Sequence, residues 1–300
     1  MKVLNFGSLN IDYVYSVDHF VRAGETLSSD SLNLFCGGKG LNQSVAFARA
    51  GAETYHAGCI GNDGSMLTDM LSGSGVNTKY IRRSDDVKTG HAIIQVTHKG
   101  ENCILLYGGA NQTVTDEMVD EVLSGFGEGD LLMLQNEINN LGYIISQAKK
   151  RGMFIALNPS PFDEKITALD LSLVDALIVN ETEGCGITGK TSPDDILTDL
   201  LSRYPEMKVV LTVGKNGALY ADKNGRCSCG IIDIKVVDTT AAGDTFTGYF
   251  FSSLMSGASP LTSLRIATAA STLAVSRKGA APSIPARDEV VELMKASFGD

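Results

Sequence analysis

Short apolar runs alternate along the chain with segments whose apolar residues recur every three to four positions. Runs of this length predict buried strands, whereas the three-to-four spacing predicts amphipathic helices. Repeated alternation of the two predicts a mainly parallel sheet with helices on both faces, which is a three-layer, doubly wound α/β fold. The predicted strands are residues 3–6, 54–59, 131–134, 154–157, 176–179 and 209–213, and the predicted helices are residues 41–50, 63–72, 116–123, 141–151 and 194–204.

Two segments interrupt this alternation. Residues 13–35 lack helical periodicity, and residues 90–96 and 103–107 flank a turn at His98-Lys99-Gly100, which predicts a β-hairpin. Together they predict a small sheet that projects from the main one. We therefore expect a single domain over residues 1–300, with a discontinuous β portion at about 12–36 and 88–109.

Charge and hydropathy exclude two kinds of partner. The chain has 35 acidic and 25 basic residues, a formal net charge of −10, and no basic stripe, so we expect no nucleic acid partner. No run approaches the ~20 apolar residues of a membrane span. The first residues predict a buried strand ending at Gly7 and not a secretory signal, so we expect a soluble protein without a membrane partner.

Cysteine and histidine positions point to no metal or nucleophile chemistry. The cysteines are scattered without zinc or redox spacing, which fits reduced thiols in a cytoplasmic protein. The histidines show no metal-ligand spacing, and the chain has no Gly-x-Ser-x-Gly elbow, so we expect structural roles for them. These residues are Cys36, Cys59, Cys103, Cys185, Cys227, Cys229, His19, His56, His91 and His98.

The most informative motif is Asp238-Thr239-Thr240-Ala241-Ala242-Gly243-Asp244-Thr245-Phe246, in which small residues and one acid precede a helical run. Small side chains let the backbone approach a ligand, and N–H groups at a helix N-terminus bind anions such as a phosphoryl group. Asp244 then serves as the base that takes the proton of an incoming hydroxyl, with Ala242 and Gly243 in the anion site. The alternative is an acidic residue favoured only by the helix dipole.

A glycine turn, Cys36-Gly37-Gly38-Lys39-Gly40-Leu41-Asn42, leads into a predicted helix that closes at Gly51. Positions without a side chain let backbone amides, together with Asn42, surround a polyhydroxylated ligand. The turn lacks the Gly-x-x-x-x-Gly-Lys-Ser/Thr spacing of a P-loop. A plain tight turn is the alternative.

Two further motifs follow predicted strands, where ligands gather in a parallel sheet. Asn180 and Glu183 lie three residues apart at a helix start, a spacing that suits water-mediated binding of Mg²⁺ and equally a capping box. Thr212, Gly214 and Gly217 form a glycine-bracketed turn before a second strand. That turn suits a nucleotide laid against backbone or a simple hairpin, and both interpretations stay open.

Taken in order, these motifs resemble those of the ribokinase-like (PfkB) carbohydrate kinases over essentially the whole chain. The Asp238–Phe246 motif and the glycine turn are together highly specific for that family. The resemblance implies the ribokinase-like fold, with the small sheet as a lid over the sugar, and a homodimer in which two lids pair. It is carried by Gly7-Ser8-Leu9-Asn10-Ile11-Asp12, Gly24-Glu25-Thr26, Gly37 to Asn42, Gly108-Gly109-Ala110-Asn111, Leu157-Asn158-Pro159-Ser160-Pro161, Asn180 to Glu183, Asp238 to Asp244 and Arg277-Lys278-Gly279-Ala280-Ala281-Pro282-Ser283.

The resemblance also implies roles for individual residues. The implied sugar-binding residues are Asn10, Asp12, Gly38, Lys39, Gly40, Asn42, Glu137 and Asp244. The implied ATP-binding residues are Asn180, Thr212, Gly214, Lys215, Gly217, Gly243 and Thr268, with Asn180 and Glu183 holding Mg²⁺ through water. The implied site for a monovalent cation, expected to be K⁺, comprises Asp238, Thr240, Ala274, Arg277, Gly279 and Ser283, mainly through backbone oxygens.

The reaction that the resemblance implies is transfer of the γ-phosphoryl group of MgATP to the primary 5-hydroxyl of a small sugar such as D-ribose. Asp244 accepts the proton, and amides of Ala242, Gly243 and Asp244 stabilise charge on the phosphoryl oxygens. A sugar as acceptor suits Asp12 and Glu137, because carboxylates accept strong hydrogen bonds from vicinal hydroxyls. A surface location is the alternative for Asp12 and Glu137.

Alternative functions remain open. A kinase of the same fold can act on a deoxyribose, a ketohexose or a nucleoside, and a protein of this fold can be a non-catalytic sugar or nucleotide sensor. A dinucleotide dehydrogenase fits less well, because the first strand is not followed by Gly-x-Gly-x-x-Gly. His91 and Gln95 affect which sugar the pocket prefers if they face the sugar. If they face outward, they affect only lid or dimer contacts. Strand alternation puts both opposite Ala92.

Overall fold

The computed structural model describes residues 1–299. The strands are β1 (Lys2–Phe6), β2 (Asn10–Val17), β3 (Ser31–Gly37), β4 (Glu53–Gly61), β5 (Asn77–Ser84), β6 (Gly90–Thr97), β7 (Asn102–Tyr107), β8 (Leu131–Gln135), β9 (Phe154–Asn158), β10 (Ala176–Asn180), β11 (Lys208–Thr212), β12 (Ala218–Asp222) and β13 (Gly225–Cys229). The α-helices are α1 (Lys39–Arg49), α2 (Ser65–Gly73), α3 (Asp116–Leu123), α4 (Leu141–Lys150), α5 (Glu181–Thr188), α6 (Pro193–Arg203), α7 (Ala242–Met255), α8 (Pro260–Val275) and α9 (Arg287–Phe298).

A nine-stranded large sheet has the order β13-β12-β11-β10-β9-β8-β1-β4-β5. Its strands from β11 to β5 run parallel, and β12 pairs antiparallel with both of its neighbours, β11 and β13. The chain first extends the sheet from β1 through β4 to β5 and then returns to add β8 on the other side of β1. This reversal opens a crevice at the carboxyl ends of β1 and β8, which is where doubly wound sheets bind ligands. The predicted mainly parallel α/β fold is confirmed.

The predicted strands and helices are all present, with ends displaced by no more than two residues. The elements without a sequence prediction include β5, β13 and α9. β5 is an edge strand that carries Lys79, Arg82 and Arg83, so it has no apolar run to mark it. Helix starts follow local chemistry, since Ser192 and Ser259 each cap a helix whose first residue is proline.

Side chains alternate between the two faces of the large sheet, so each face carries its own apolar layer of helices. In β1, Leu4 and Phe6 pack in one layer and Val3 in the other. In the second layer α1 and α7 cross at Gly248, where a Cβ would overlap Ala46. Among residues 1–299, no helix combines the length and apolar character needed to cross a bilayer.

The small sheet consists of β3, β2, β6 and β7 in that order. β6 and β7 form the predicted hairpin, and β2 pairs in parallel with β6 so that Asp12 lies opposite Ala92. Paired residues share a face, so His91 and Gln95 lie on the face opposite Asp12. His91 Nδ1 is 3.1 Å from the Thr89 carbonyl oxygen, and Gln95 Oε1 accepts from the backbone N–H of Val21 at 3.0 Å. The outward interpretation of these two side chains is the one that the register supports.

Candidate active site

Polar residues end four neighbouring strands of the large sheet. Gln135, Asn158, Asn180 and Thr212 are the last residues of β8, β9, β10 and β11. Gln135 pairs with Asn158, and Asn180 pairs with Thr212, so these residues lie together at the carboxyl ends of the strands. The first turns of α1 and α7 approach the same end of the sheet, and together these elements surround the crevice.

Asp244 lies in the first turn of α7 and is only 7% exposed. Its Oδ2 accepts from Asn42 Nδ2 at 3.0 Å, and its Oδ1 accepts from Gln43 Nε2 at 3.0 Å. The residue before the helix, Ala241, has φ 58°, a left-handed conformation that costs on the order of 1 kcal/mol without glycine. This turn aims the helix N-terminus into the crevice with the carboxylate beside it.

The backbone donors at this helix start are not equivalent. The N–H of Ala242 donates to the Thr239 carbonyl at 3.3 Å. The N–H groups of Gly243 and Asp244 belong to the first turn, which has no carbonyl partners within its own helix. A Cβ at Gly243 would meet no atom within 4 Å, so this position faces open space. Of the three predicted residues, Gly243 and Asp244 are therefore best placed to donate hydrogen bonds from their N–H groups to an anion.

Two cavities adjoin at this helix start. The larger has a volume of about 710 Å³ and the smaller about 210 Å³. Both are lined by Asn180, Thr212, Thr239, Ala242 and Gly243, and only the smaller contains Asp244, Lys39 and Glu183. The N–H groups of Gly243 and Asp244 thus lie where the two cavities meet. At this point a phosphoryl group can pass from a ligand in one cavity to a ligand in the other.

The larger cavity is lined by apolar and polar side chains together. Ile231, Ile234, Val236 and Val275 supply apolar walls, and the predicted residues Gly214, Lys215, Gly217 and Thr268 also line it. Gly214 has open space at its Cβ position, whereas a Cβ at Gly217 would overlap the Cys229 carbonyl oxygen. Gly217 is thus required by packing of the β12–β13 hairpin, and Gly214 is the glycine that leaves room for a ligand.

Lys39 lies among three acids. Burial by itself lowers the pKa of Lys39, but the carboxylates of Asp244, Glu137 and Glu183 outweigh burial and raise it. Burial raises the pKa of Glu137, although Lys39 opposes the shift. Glu137 Oε2 accepts from the backbone N–H of Lys39 at 3.0 Å and from the Ser8 hydroxyl. The glycine turn and Glu137 are therefore held together.

Asp12 and Asn10 lie in the small sheet next to the glycine turn, where a Cβ at Gly37 would overlap the Asp12 carboxylate, and neither residue lines either cavity. Burial, with a contribution from Glu137, raises the pKa of Asp12 to about 6. Asn10 is buried, and its Oδ1 accepts from Asn111 Nδ2 at 2.7 Å. Asn42 Oδ1 is buried without a hydrogen-bond partner, so this oxygen is still able to accept a hydrogen bond.

The glycines of the turn have different reasons for lacking a side chain. Gly38 has φ 94°, a left-handed conformation that glycine adopts without strain. A Cβ at Gly40 would overlap the backbone of Gly7 and Ser8, so Gly40 permits α1 to pack on the end of β1. Close ligand approach, the reason expected from the sequence, therefore does not explain Gly40.

Asn180 and Glu183 form the capping box of α5. Glu183 N donates to Asn180 Oδ1 at 2.9 Å, and Asn180 N donates to Glu183 Oε2 at 2.9 Å. Asn180 Nδ2 also donates to Glu183 Oε1 at 3.0 Å. Both residues line the smaller cavity as well, so the capping role is present and a ligand role remains compatible with it.

The six residues predicted to bind a monovalent cation come from two segments that meet. Asp238 accepts from Thr240 N at 2.9 Å and from Gly279 N at 2.9 Å, which ties the loop before α7 to the loop after α8. These hydrogen bonds outweigh burial and lower the pKa of Asp238. The Arg277 side chain instead pairs with Glu289, and the Ser283 hydroxyl donates to the Ala280 carbonyl at 2.8 Å. The carbonyl of Ala274 accepts from the N–H of Arg277 at 3.1 Å.

Sequence reasoning missed three side chains at the site, Gln43, Gln135 and Asn158. Gln43 contacts Asp244, while Gln135 and Asn158 contact Gln43. A signal existed for two of them, because Gln135 and Asn158 are polar residues directly after apolar strand runs. Gln43 follows Asn42 in the glycine-turn motif, but adjacency in a helix does not predict a shared partner.

Comparison with known proteins defines the class to which this fold and site belong. Residues 1–287 match the family described as pfkB family carbohydrate kinase. The chain is 35% identical over 297 residues to the ribokinase of Haemophilus influenzae, covering 96% of this chain and 97% of that protein. It is 36% identical over 301 residues to the ribokinase of Staphylococcus aureus, covering 96% and 98%.

Solved structures agree. The ribokinase of Arabidopsis thaliana complexed with ribose and ATP has a TM-score of 0.87 at 30% identity and covers 98% of each chain. The ribokinase of Thermotoga maritima has a TM-score of 0.86 at 33% identity, covering 98% of this chain and 99% of the other. The protein is thus of the ATP-dependent carbohydrate kinase class. The chain belongs to the pfkB family of carbohydrate kinases, and the predicted resemblance is confirmed.

Proposed function

We propose that this chain is a ribokinase-type enzyme that transfers the γ-phosphoryl group of MgATP to the primary 5-hydroxyl of D-ribose. Asp244 carries the proposal, because it is a buried carboxylate at the helix start where the two cavities adjoin. Both of its oxygens accept hydrogen bonds from side-chain amide groups, so the carboxylate is held as a hydrogen-bond acceptor, as a general base must be. The similar Arabidopsis ribokinase, solved with ribose and ATP, supports the choice of substrates.

The reaction follows from this arrangement. The nucleotide occupies the larger cavity, with its γ-phosphoryl group at the N–H groups of Gly243 and Asp244 and near the charge of Lys39. Asp244 accepts the proton of the attacking hydroxyl as the new bond from its oxygen to the γ-phosphorus forms. The bond from the γ-phosphorus to the bridging oxygen breaks in the same step, and ADP is the leaving group. Asp12 and Glu137 accept hydrogen bonds from the other sugar hydroxyls, and Asn42 Oδ1 accepts one more.

Asn180 and Glu183 are the residues that would hold Mg²⁺ through water. Each oxygen of Glu183 accepts a hydrogen bond from Asn180 and retains a second lone pair for a metal-bound water. Mg²⁺ commonly takes only one or two protein carboxylates, and residues 1–299 contain no cluster of three or more His, Cys, Asp or Glu suited to direct ligation. When bound there, Mg²⁺ would neutralise charge on the β- and γ-phosphates.

A monovalent cation fits the paired loops before α7 and after α8. The donors are oxygens, namely the Asp238 carboxylate and carbonyl groups of Thr240, Ala274, Arg277, Gly279 and Ser283, and such donors suit K⁺. The Asp238 carboxylate already holds both loops together. When bound there, a cation would stabilise the turn at Ala241 and with it the N–H groups at the start of α7.

The small sheet acts as a lid in this proposal, and two copies of it form a homodimer. Its exposed apolar side chains support pairing, since Leu105 is 69% exposed and Ile104 is 56% exposed. Closure over the sugar excludes water, which otherwise competes as acceptor. With MgATP as the donor and all six cysteines free, we infer a cytoplasmic enzyme.

The test measures ADP release from MgATP with D-ribose in K⁺ and in Na⁺ buffers, with a control lacking sugar. Ribose-dependent release that is greater in K⁺ and abolished by EDTA is expected. Deoxyribose, fructose and a nucleoside form the comparison panel, since a kinase of this fold with another acceptor releases ADP with one of them instead. If the protein binds sugar or nucleotide but releases no ADP in the presence of any of these acceptors, the kinase proposal is contradicted and a sensor is supported.

A further inference from the structure

Buried amide side chains form a hydrogen-bonded chain that ends at Asp244. Asn5 Nδ2 donates to the Gly40 carbonyl at 2.7 Å, and Asn5 Oδ1 accepts from Gln135 Nε2 at 2.9 Å. The same Gln135 nitrogen donates to Gln43 Oε1 at 2.6 Å. Gln43 Nε2 then donates to Asp244 Oδ1 at 3.0 Å. Four side chains from β1, β8, α1 and α7 are thereby connected.

Each amide in this chain has one orientation that suits its neighbours. Gln43 Nε2 also donates to Asn158 Oδ1 at 3.2 Å, so both of its N–H bonds are used. A half-turn of the Gln43 amide would place Oε1 against the oxygens of Asp244 and Asn158, and Nε2 against the Gln135 nitrogen. All three contacts would then be repulsive. Asn5, Gln43 and Gln135 have no exposed surface, so water cannot replace a lost partner.

Stability alone does not explain Gln135. Its Oε1 is buried without a hydrogen-bond partner and lies where a Cβ on Gly7 would overlap it. An unpaired buried oxygen is destabilising, and a methionine of similar size would avoid it. What a methionine would lack is the nitrogen that contacts Asn5 and Gln43. The function of Gln135 therefore lies in that nitrogen.

We propose that Gln43, oriented by Gln135, is a positioning residue that fixes the direction of the Asp244 carboxylate toward the acceptor hydroxyl. Asn42 holds one carboxylate oxygen and Gln43 holds the other, so the pair determines how the carboxylate is rotated. Without Gln43, one donor remains and the carboxylate is free to turn. The inference rests on the proposed role of Asp244 as the base.

The first test is Gln43→Met, which keeps the length of the side chain and removes the amide. A reacting group misplaced by about 1 Å slows a reaction on the order of 100-fold, so we expect kcat to fall between about 10-fold and 100-fold. The KM values for sugar and ATP are expected to change less than about threefold, because the interaction is made by the base and not by either substrate.

The second test, Gln135→Glu, changes a residue that lines neither cavity. The new carboxylate accepts from the Gln43 nitrogen and turns Gln43 Oε1 toward Asp244, which lowers kcat although Gln43 and Asp244 are intact. The double variant Gln43→Met/Gln135→Glu is expected to be no slower than Gln43→Met alone, because both changes act through one interaction. Additive losses in kcat contradict the proposal.

Ser44→Ala is the matched control. Ser44 Oγ accepts from Asn5 at 2.9 Å and lies 2.8 Å from His56 Nδ1, so it contacts the far end of the chain and makes no hydrogen bond to Gln43 or Asp244. In Ser44→Ala, Asn5 Nδ2 keeps its hydrogen bond to the Gly40 carbonyl, and every contact of Gln43 remains. Burial lowers the pKa of His56 to about 3, so no charge is disturbed. This variant should lower Tm and leave kcat within about twofold of wild type. A loss of kcat in Ser44→Ala as large as in Gln43→Met shows a merely structural role and overturns the proposal.

Asp244→Asn separates failure of this inference from failure of the proposed function. If Asp244→Asn is inactive and folded Gln43→Met retains wild-type kcat, the positioning role is wrong and the base assignment stands. If Asp244→Asn retains wild-type turnover, the base assignment itself is wrong.

Discussion

Strands β8 and β7 have similar apolar sequences and opposite surroundings. All five residues of β8, Leu-Leu-Met-Leu-Gln, are buried, whereas all six of β7, Asn-Cys-Ile-Leu-Leu-Tyr, are exposed. Helices cover both faces of the large sheet, and within residues 1–299 nothing comparable covers the outer strands of the small sheet. An apolar run therefore predicts a strand in both places, but burial depends on what packs against it.

The candidate site is divided in the same way. The proposed base Asp244, the N–H groups proposed to bind the phosphoryl group and both cavities belong to the large sheet and its helices, where packing limits movement. The small sheet contributes Asn10 and Asp12. We therefore expect chemistry and stability to depend mainly on the large-sheet side, and sugar affinity and assembly to depend on the small sheet.

Asp244→Asn should have the largest effect. Loss of a general base typically costs 10²- to 10⁴-fold in rate, so we expect kcat to fall about 10³-fold with little change in either KM. Asp116→Asn is the control, because Asp116 occupies the first turn of α3 but lies outside the site. Steady-state ADP release measures both variants. Equal, small losses in the two would reduce Asp244 to a helix-dipole residue.

Truncation of one leucine in each sheet tests the contrast in packing. Leu132 in β8 has no exposed surface, so Leu132→Ala should lower the free energy of unfolding by about 3 kcal/mol. Leu105→Ala, in monomeric protein, should lower it by less than about 0.5 kcal/mol. Guanidinium unfolding measures both. A large loss for Leu105→Ala in dilute monomer would mean that the small sheet has a packed face of its own.

Adjacent residues of β7 point to opposite faces of the small sheet and therefore test the proposed dimer. Leu105→Asp and Leu106→Asp each add a charge to a different face, at positions 69% and 49% exposed. We expect one variant to weaken dimerisation by at least about tenfold, because an unpaired charge is costly to bury. The other variant serves as its control in analytical ultracentrifugation. If neither changes the sedimentation of a dimeric wild type, the dimer does not form through this sheet.

The last test concerns how the stability of the protein depends on pH through Asp12. The pKa of Asp12 is raised from 3.8 to about 6 in the folded chain, mainly by burial. At pH values between these two, Asp12 is therefore protonated in the folded state and ionised in the unfolded state. Wild type should therefore lose stability relative to Asp12→Asn as pH rises from about 4 to 6, with a constant difference above that range. Thermal unfolding at several pH values measures this difference. A difference in Tm that does not vary with pH would mean that Asp12 is not buried in solution.

Particular residues show how far sequence reasoning reached. Asn42, Lys39 and Asp244 were predicted from two distant motifs, and the structure brings them to one crevice. The role of Gly40 was not predictable, because the atoms that exclude a Cβ there belong to Gly7 and Ser8, in a distant segment of the chain. Gln43 was missed for the same reason, since its partner lies 201 positions away in the sequence.

The sequence by itself determined the family, the mainly parallel α/β fold and most element positions, because apolar periodicity and compact motifs are local properties. Only the tertiary structure decided which side chains share a partner, which face of the small sheet carries Asp12, and that Asn180 and Glu183 form a capping box while lining a cavity. The physical reason is that hydrogen bonds, burial and raised or lowered pKa values depend on distances between residues far apart in the chain. Those distances exist only after the sheet order brings α1 and α7 together.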